Sequence, residues 1–212
     1  GVEGVKGYRF SNTWFNEGIK AVWADLLRQL APSRVLEVGS FEGASACFLI
    51  DQVSRHRPLE LHCVDTWEGG AEHQPGEHAQ ANMNEVEARF HENVAVALHG
   101  ATHVVQVQVH KKRSEAALPQ LLSALGPGYF DWVYIDGSHR ASDVLFDAVI
   151  SHKLLRIGGL LVFDDYLWSG LSNQDLLQAP KIAIDAFTTI HAQSVRVLAA
   201  PLYQLYVVKT RD

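Results

Sequence analysis

The sequence predicts an α/β protein built on a doubly wound, mostly parallel sheet that ends in an antiparallel hairpin. Three observations carry that expectation. Short apolar runs alternate with helical patterns along the chain, as in a layered sheet with helices on both faces. Four of those runs carry an acid at their end: Glu37, Asp65, Asp136 and the pair Asp164-Asp165. The last two runs are joined by Ala199-Ala200-Pro201, too short for the crossover that parallel strands need.

The 212 residues suit one domain over the whole of 1–212, with residues 1–30 read as an N-terminal arm and helix that could cap a substrate. An apolar fraction of 47% and a charged fraction of 20% are those of an ordinary globular protein. A formal charge of -6 argues against a nucleic-acid partner held through phosphates. No apolar run approaches the roughly 18 residues of a membrane helix, and no N-terminal signal pattern is read, so no membrane partner is expected. The two cysteines, Cys47 and Cys63, fall in apolar elements and are expected as free buried thiols, which points to a cytoplasmic location.

Residues 1–12 are glycine-rich and polar and read as a loosely held arm. From Thr13 the positions Trp14, Phe15, Ile19, Val22, Trp23, Leu26, Leu27 and Leu30 recur at helical spacing, and Pro32 ends the run. Trp14 and Phe15 stand at its exposed start, as a wall over a ligand or as ordinary packing. Residues 34–38 read as a buried strand, followed by Gly39-Ser40-Phe41-Glu42-Gly43 and a helix from Ala44. This turn is neither the G-x-G-x-x-G of dinucleotide sites nor a P-loop. It is Glu37-x-Gly39-x-x-x-Gly43, and an acid there would repel a pyrophosphate but suit hydroxyls or a cationic amino group.

The second strand, 59–64, closes on Asp65-Thr66-Trp67. An acid about twenty residues beyond the glycine turn matches the pair of acceptor oxygens that a ribose diol requires. Trp67 could flank an adenine or simply pack. Residues 68–80 read as a loop in which His73 and His78 are too irregularly placed for a metal site. A helix over 82–97 with Val86, Phe90, Val94 and Leu98 inward and a strand over 103–109 come next. Ser114 then reads as an N-cap, with Glu115 in the first turn of a helix to about 125. The fourth strand, 129–136, runs into Gly137-Ser138-His139. A helix over 141–155 follows, with Val144, Leu145, Ala148, Val149 and Leu155 inward, closed by Gly158-Gly159. A fifth strand, 160–163, a helix near 179–191 and the hairpin strands 195–198 and 202–208 complete the chain.

In such a sheet, ligands sit beyond the carboxyl ends of the strands. Glu37 and Asp65 could there bond a cofactor, leaving Asp136, Asp164 and Asp165 as hard oxygen ligands suited to Mg²⁺. The alternative is that one of the last pair caps a helix or pairs with Arg140.

Taken together, VLEVGSFEG, VDTW, YIDGSH and GGLLVFDD resemble the class I S-adenosylmethionine (SAM) methyltransferases, in the group with an I-D-G-S-H motif, relatives of the metal-dependent catechol-type O-methyltransferases. The resemblance spans roughly residues 30–208 and implies a Rossmann-like, seven-stranded fold with SAM as cofactor. It implies cofactor contacts from Glu37, Gly39, Ser40, Gly43, Asp65, Thr66, Trp67 and Asp136. Ser114 and Glu115 would contact the adenine, because S-x-x-x-x-P-Q-L looks like the family's segment there. Asp136, Asp164 and Asp165 match its divalent-metal positions. Where the catechol-type enzymes carry a lysine base, this chain has His139, whose imidazole can take a proton near neutral pH. Asp165 replaces a common asparagine and makes the site more anionic. The function implied is methyl transfer to a hydroxyl of a small-molecule acceptor with a divalent cation such as Mg²⁺, with homodimerisation left open. The alternatives are a metal-independent N- or O-methyltransferase and a non-catalytic nucleotide-binding module. Residues 1–16, 68–82 and 166–178 would wall the acceptor pocket, and Trp14, Trp67, Tyr166 and Trp168 suggest a flat or apolar acceptor.

Overall fold

A computed structural model describes residues 2–3, 7–70, 73–77, 80–168 and 175–212. Among them, seven strands form one sheet: β1 Arg34–Val38, β2 Leu59–Val64, β3 Val105–His110, β4 Phe130–Ile135, β5 Leu155–Asp164, β6 Val195–Val197 and β7 Gln204–Lys209. Their order is β3-β2-β1-β4-β5-β7-β6. The first five are parallel, and β7 runs antiparallel to both β5 and β6, the expected terminal hairpin. The helices are α1 Glu17–Leu30, α2 Ala44–Ser54, α3 Met83–His99, α4 Ser114–Leu125, α5 Ala141–Leu154 and α6 Lys181–Ile190. None among the described residues is long and apolar enough to cross a membrane.

Alternation along the central strands splits the core into two layers. Val35, Trp132, Tyr134 and Val162 face α1, α2 and α3, while Leu36, Val133, Ile135 and Phe163 face α4, α5 and α6. Both faces are covered, which is why these strands read as near-continuous apolar runs. Cys47 and Cys63 are buried free thiols, as expected.

Several local expectations change. Asn16 caps α1 by accepting from the Ile19 amide, so Trp14 and Phe15 precede the helix. The arm is not loose where it is described. Tyr8 is buried, Arg9 exchanges hydrogen bonds with the side chain of Asn93, and the backbone and hydroxyl of Ser11 both donate to Glu42. That docking explains α3, where Asn93 and Ala97 are buried and Leu98 faces solvent. Val2–Glu3 also pairs with Arg9–Phe10 in a short ribbon.

Arg113, not Ser114, occupies the N-cap of α4, and no side chain caps it. Leu155 closes α5, and Gly158-Gly159 lie inside β5 rather than ending the helix. There Gly158 has φ 86°, and the register with β4 jumps from Phe130–Leu155 to Trp132–Leu160. The glycines absorb a bulge. On α5, Val149 turns outward while Asp147, Ser151 and His152 are buried, a pattern an apolar stripe does not announce.

Strand order reverses between β1 and β4, and their ends meet closely. The Asp136 amide donates to the Val38 carbonyl at 2.7 Å, and the Gly39 amide donates to Val64 at 2.8 Å. A Cβ on Gly39 would stand 2.0 Å from the Asp136 carbonyl oxygen, at a φ of 90°. Gly39→Ala should therefore cost on the order of 3–5 kcal/mol in denaturant unfolding, from left-handed strain plus backbone overlap.

Candidate active site

Two adjoining cavities open beyond the carboxyl ends of the parallel strands. The first, about 610 Å³, lies under the N-terminal arm, between Trp14, Phe41, Trp168 and Tyr203, with Asp136, Asp164 and Asp165 at its floor. The second, about 790 Å³, is lined by Gly39, Asp65, Thr66, Ser114, Glu115 and Asp136, among others. Phe41, His73, Asp136, Gly137 and His139 border both. Each volume lies in the usual range for small-ligand sites.

Of the residues expected to hold a cofactor, Gly39, Asp65, Thr66, Ser114, Glu115 and Asp136 thus share one cavity. Ser40 lines the other, and Glu37, Gly43 and Trp67 line neither. Gly43 caps α2 at φ 86°, where a Cβ would approach Phe90 to 3.1 Å. Trp67 belongs to the core: its ring packs on Phe90 at 4.9 Å and its N–H donates to the Phe41 carbonyl. It cannot flank an adenine from there.

Asp65 has a task the sequence did not disclose. Its Oδ2 accepts from the amides of Ser40 (2.9 Å) and Phe41 (3.0 Å), and its Oδ1 accepts from the Trp67 amide (2.8 Å). Phe41 and Trp67 are bulky residues at positive φ, 48° and 53°. One carboxylate therefore clamps two strained turns. With three of about four lone-pair directions used, Asp65 can accept one ribose hydroxyl as it stands, not the expected pair.

Glu37 is wholly buried in β1, between Cys63 and Tyr134 of the flanking strands, and accepts from the Ser45 hydroxyl. It makes no contact with either cavity. Its Oε1 has no partner, and burial pushes the carboxyl up to about 7, against the hydrogen bond from Ser45.

At the junction of the cavities, ligand atoms of Asp136, His139 and Asp165 lie within 4.8 Å of one another. His139 Nε2 is 2.7 Å from Asp165 Oδ2, and its ring lies against Trp168 with centroids 3.8 Å apart. Asp164 stands beside this trio, its Oδ1 accepting from Gln204 Nε2 at 3.0 Å. Burial, then mutual repulsion, holds the Asp136 and Asp164 carboxyls above the usual range. Among the described residues no lysine or arginine pairs with Asp136, Asp164 or Asp165, and Arg140 does not reach them. Asp165 itself sits at φ 56°, a left-handed turn that aspartate tolerates.

The expected aromatic wall is only partly realised. Trp14 and Trp168 line the first cavity, whereas Tyr166 turns away to donate to Asp185 at 2.5 Å. Phe10, Phe15, Phe41 and Tyr203 also line that cavity, and of these only Tyr203 lies outside the segments the sequence singled out. Trp14 is 54% exposed and lies against Phe41, while Phe15 lines the same cavity and also packs edge-on against Trp23 (4.8 Å) and Phe48 (5.5 Å). His73 lies over Phe41, its Nδ1 accepting from the Gly70 amide. His78 and 169–174 of the acceptor wall lie outside the described residues.

A seven-stranded sheet in this order, with a reversed terminal hairpin and its crevice at the β1/β4 switch point, is the class I methyltransferase fold. The chain belongs to the methyltransferase domain family, whose model matches residues 36–166. No curated protein matches the sequence. Among solved structures, the O-methyltransferase TomG from Streptomyces achromogenes, involved in tomaymycin synthesis and in complex with SAM, aligns with a TM-score of 0.62 at 20% identity, over 92% of this chain and 81% of that one. An O-methyltransferase from Bacillus cereus in complex with SAH aligns at 0.60 and 16%, over 92% and 82%. The SAH-bound methyltransferase PaMTH1 from Podospora anserina gives 0.61 and 18%, over 92% and 78%. At such identities these likenesses speak for the fold.

Two outcomes follow from this geometry. The folded protein keeps the Glu37 proton up to a pH of about 7, whereas the unfolded chain releases it near 4.5, so this group's contribution to stability falls as pH rises between them. Glu37→Gln should remove that part of the slope, seen as melting temperatures that decline less from about pH 5 to 8 than in wild type. Trp14→Ala should leave stability nearly unchanged, while Phe15→Ala should cost up to about 3 kcal/mol through lost packing.

Proposed function

We propose that the protein is a SAM-dependent O-methyltransferase acting on a small, hydroxyl-bearing acceptor with the help of a divalent cation. The observation that carries this reading is the meeting of two cavities at Asp136 and His139, one able to hold the cofactor and the other the acceptor. The methyltransferase family and the SAM- and SAH-bound O-methyltransferases of the same fold support it.

The cavity lined by Gly39, Asp65 and Ser114 offers what an adenosine-containing ligand needs: a strand-end backbone with no side chain in the way, a carboxylate with an open lone pair, and a hydroxyl beside a helix start. The carboxylates also fit a divalent cation. Hard oxygens and one imidazole converge, and among the described residues no lysine or arginine neutralises carboxyls whose pKa values burial, then mutual repulsion, already raises. When bound, SAM supplies the electrophilic methyl and the cation draws the acceptor hydroxyl toward ionisation.

Asp136 and Asp165 would hold the cation, with Asp164 completing or steadying the set from its bond to Gln204. His139, oriented through Nε2 by Asp165, would take the hydroxyl proton. Trp14, Phe41 and Trp168 would hold a flat acceptor and exclude water, so most of the rate comes from alignment. A second reading rests on one observation: the close trio contains His139 and not Asp164, so the imidazole could itself be a ligand.

Native mass spectrometry of the purified protein should reveal carried-over SAM or S-adenosylhomocysteine, and tight NAD binding with no SAM binding would defeat the reading. Asp65→Ala should lower both SAM affinity and melting temperature, because it removes the clamp along with a ribose acceptor. Chelation should abolish transfer with SAM binding intact, and Mg²⁺ should restore it; full activity in chelator removes the cation from the mechanism. His139→Ala should slow turnover by roughly 10²–10⁴-fold with metal affinity retained if the residue is the base. Loss of metal binding in that variant would make it a ligand instead.

A further inference from the structure

Tyr134 lies on β4 between Glu37 of β1 and Val162 of β5, 2% exposed, and borders the acceptor cavity beside Asp136 and Asp164. Its hydroxyl belongs to a buried network whose proton directions can be worked out. An indole N–H only donates. Trp23 Nε1 is 2.7 Å from Gln204 Oε1, so the amide must present its oxygen to Trp23. Tyr206 donates to the same oxygen at 2.7 Å. Both acceptor positions of Gln204 Oε1 are then filled, and its nitrogen faces the site. That nitrogen has two hydrogens, and they go to Asp164 Oδ1 at 3.0 Å and to the Tyr134 oxygen at 3.2 Å.

Tyr134 therefore accepts from Gln204, and its own proton must point elsewhere. No group of the protein takes that proton among the described residues. The ring cannot swing to find one, since it stands edge-on to Trp23 at 90° with centroids 4.9 Å apart. The open direction is the acceptor cavity. A phenol so buried, with a donor hydrogen and no partner, is costly unless a ligand takes the bond.

We infer that Tyr134 donates a hydrogen bond to the acceptor's oxygen, aimed by the relay from Trp23 through Gln204. The inference rests on the methyltransferase reading and adds an acceptor-binding group to it. The proton lost in transfer leaves the acceptor for His139, and Tyr134 keeps its own throughout. Its hydrogen bond strengthens as the acceptor oxygen gains negative charge. Gln204 ties this donor to the carboxylates by holding Asp164 with its other hydrogen.

The test uses the full chain with Mg²⁺ and S-adenosylhomocysteine, and 4-nitrophenol as the probe because its absorbance reports its ionisation. Tyr134→Phe should weaken 4-nitrophenol binding by about tenfold, the worth of one hydrogen bond to a charged oxygen, and move the bound probe's ionisation to higher pH. Affinity for S-adenosylhomocysteine should stay within about twofold, a split that a general loss of packing would not give. Trp23→Phe changes no residue that lines the cavity, but it releases the amide of Gln204 and loosens the packing on the Tyr134 ring. It should weaken the probe by about threefold, and it carries the test if the tyrosine variant does not fold. Wild type that binds S-adenosylhomocysteine but not 4-nitrophenol, or variants that match wild type in affinity and ionisation, would overturn the inference. Wild type that does not bind S-adenosylhomocysteine at all would instead overturn the reading beneath it.

Discussion

The close approach of β1 and β4 at their carboxyl ends is the constraint on which the site depends. Because Gly39 has no side chain, the Asp136 carbonyl can sit against it, and the two strand ends diverge only after that contact. The turn after β1 then swings one way into Phe41 while the turn after β4 swings the other way into His139, and the two cavities form on either side. A bulkier residue at Gly39 would push apart the strand ends that bring the carboxylates together. The crevice is thus a product of backbone packing before any ligand chemistry is considered.

Carboxylates do several jobs here, and burial separates them. Asp65 is spent largely on backbone amides, where it holds Phe41 and Trp67 in turns those residues would not choose. Glu37 is sealed inside the sheet, and burial raises its pKa against the hydrogen bond from Ser45. Glu42 is a tie: it accepts from Ser11 and Arg89 and so joins the N-terminal arm, the glycine turn and α3. That leaves Asp136, Asp164 and Asp165 beside the cavities with no lysine or arginine partner among the described residues, Asp165 being bonded to His139 and Asp164 to Gln204.

Aromatic residues divide in the same way. Trp23 is buried against Trp132 and Tyr134 and acts on the site only through its N–H, which orients Gln204. Phe15 packs on Trp23 and lines the cavity as well. Trp14, Phe41 and Trp168 line the cavity with their rings, and Phe41, at a left-handed φ, borders both cavities.

Much of the fold was legible because it rests on local rules. Apolar runs covered on both faces, glycine turns, acids at strand ends and a hairpin connection too short for a crossover are periodicities and lengths, which a sequence carries directly. The motif glycines and the acids of the cavity were found for the same reason. What failed depended on partners distant in sequence. Trp67 reads like Trp14 until Phe90 is seen against it, and Gly158-Gly159 read like a helix stop until β4 is seen to need a bulge. Leu98 looked inward until the arm claimed Asn93. Gln204 and Tyr134 are 70 residues apart and carry no motif, so their meeting, and the proton it leaves facing the cavity, exists only once the terminal hairpin has turned back against β5. The sequence by itself determined the layers, the strand ends and the acids that would face the crevice, because spacing and composition encode them. Only the tertiary structure decided which of those groups are spent holding the backbone and which remain for a ligand, because hydrogen bonds and burial are shared among residues that the chain keeps far apart.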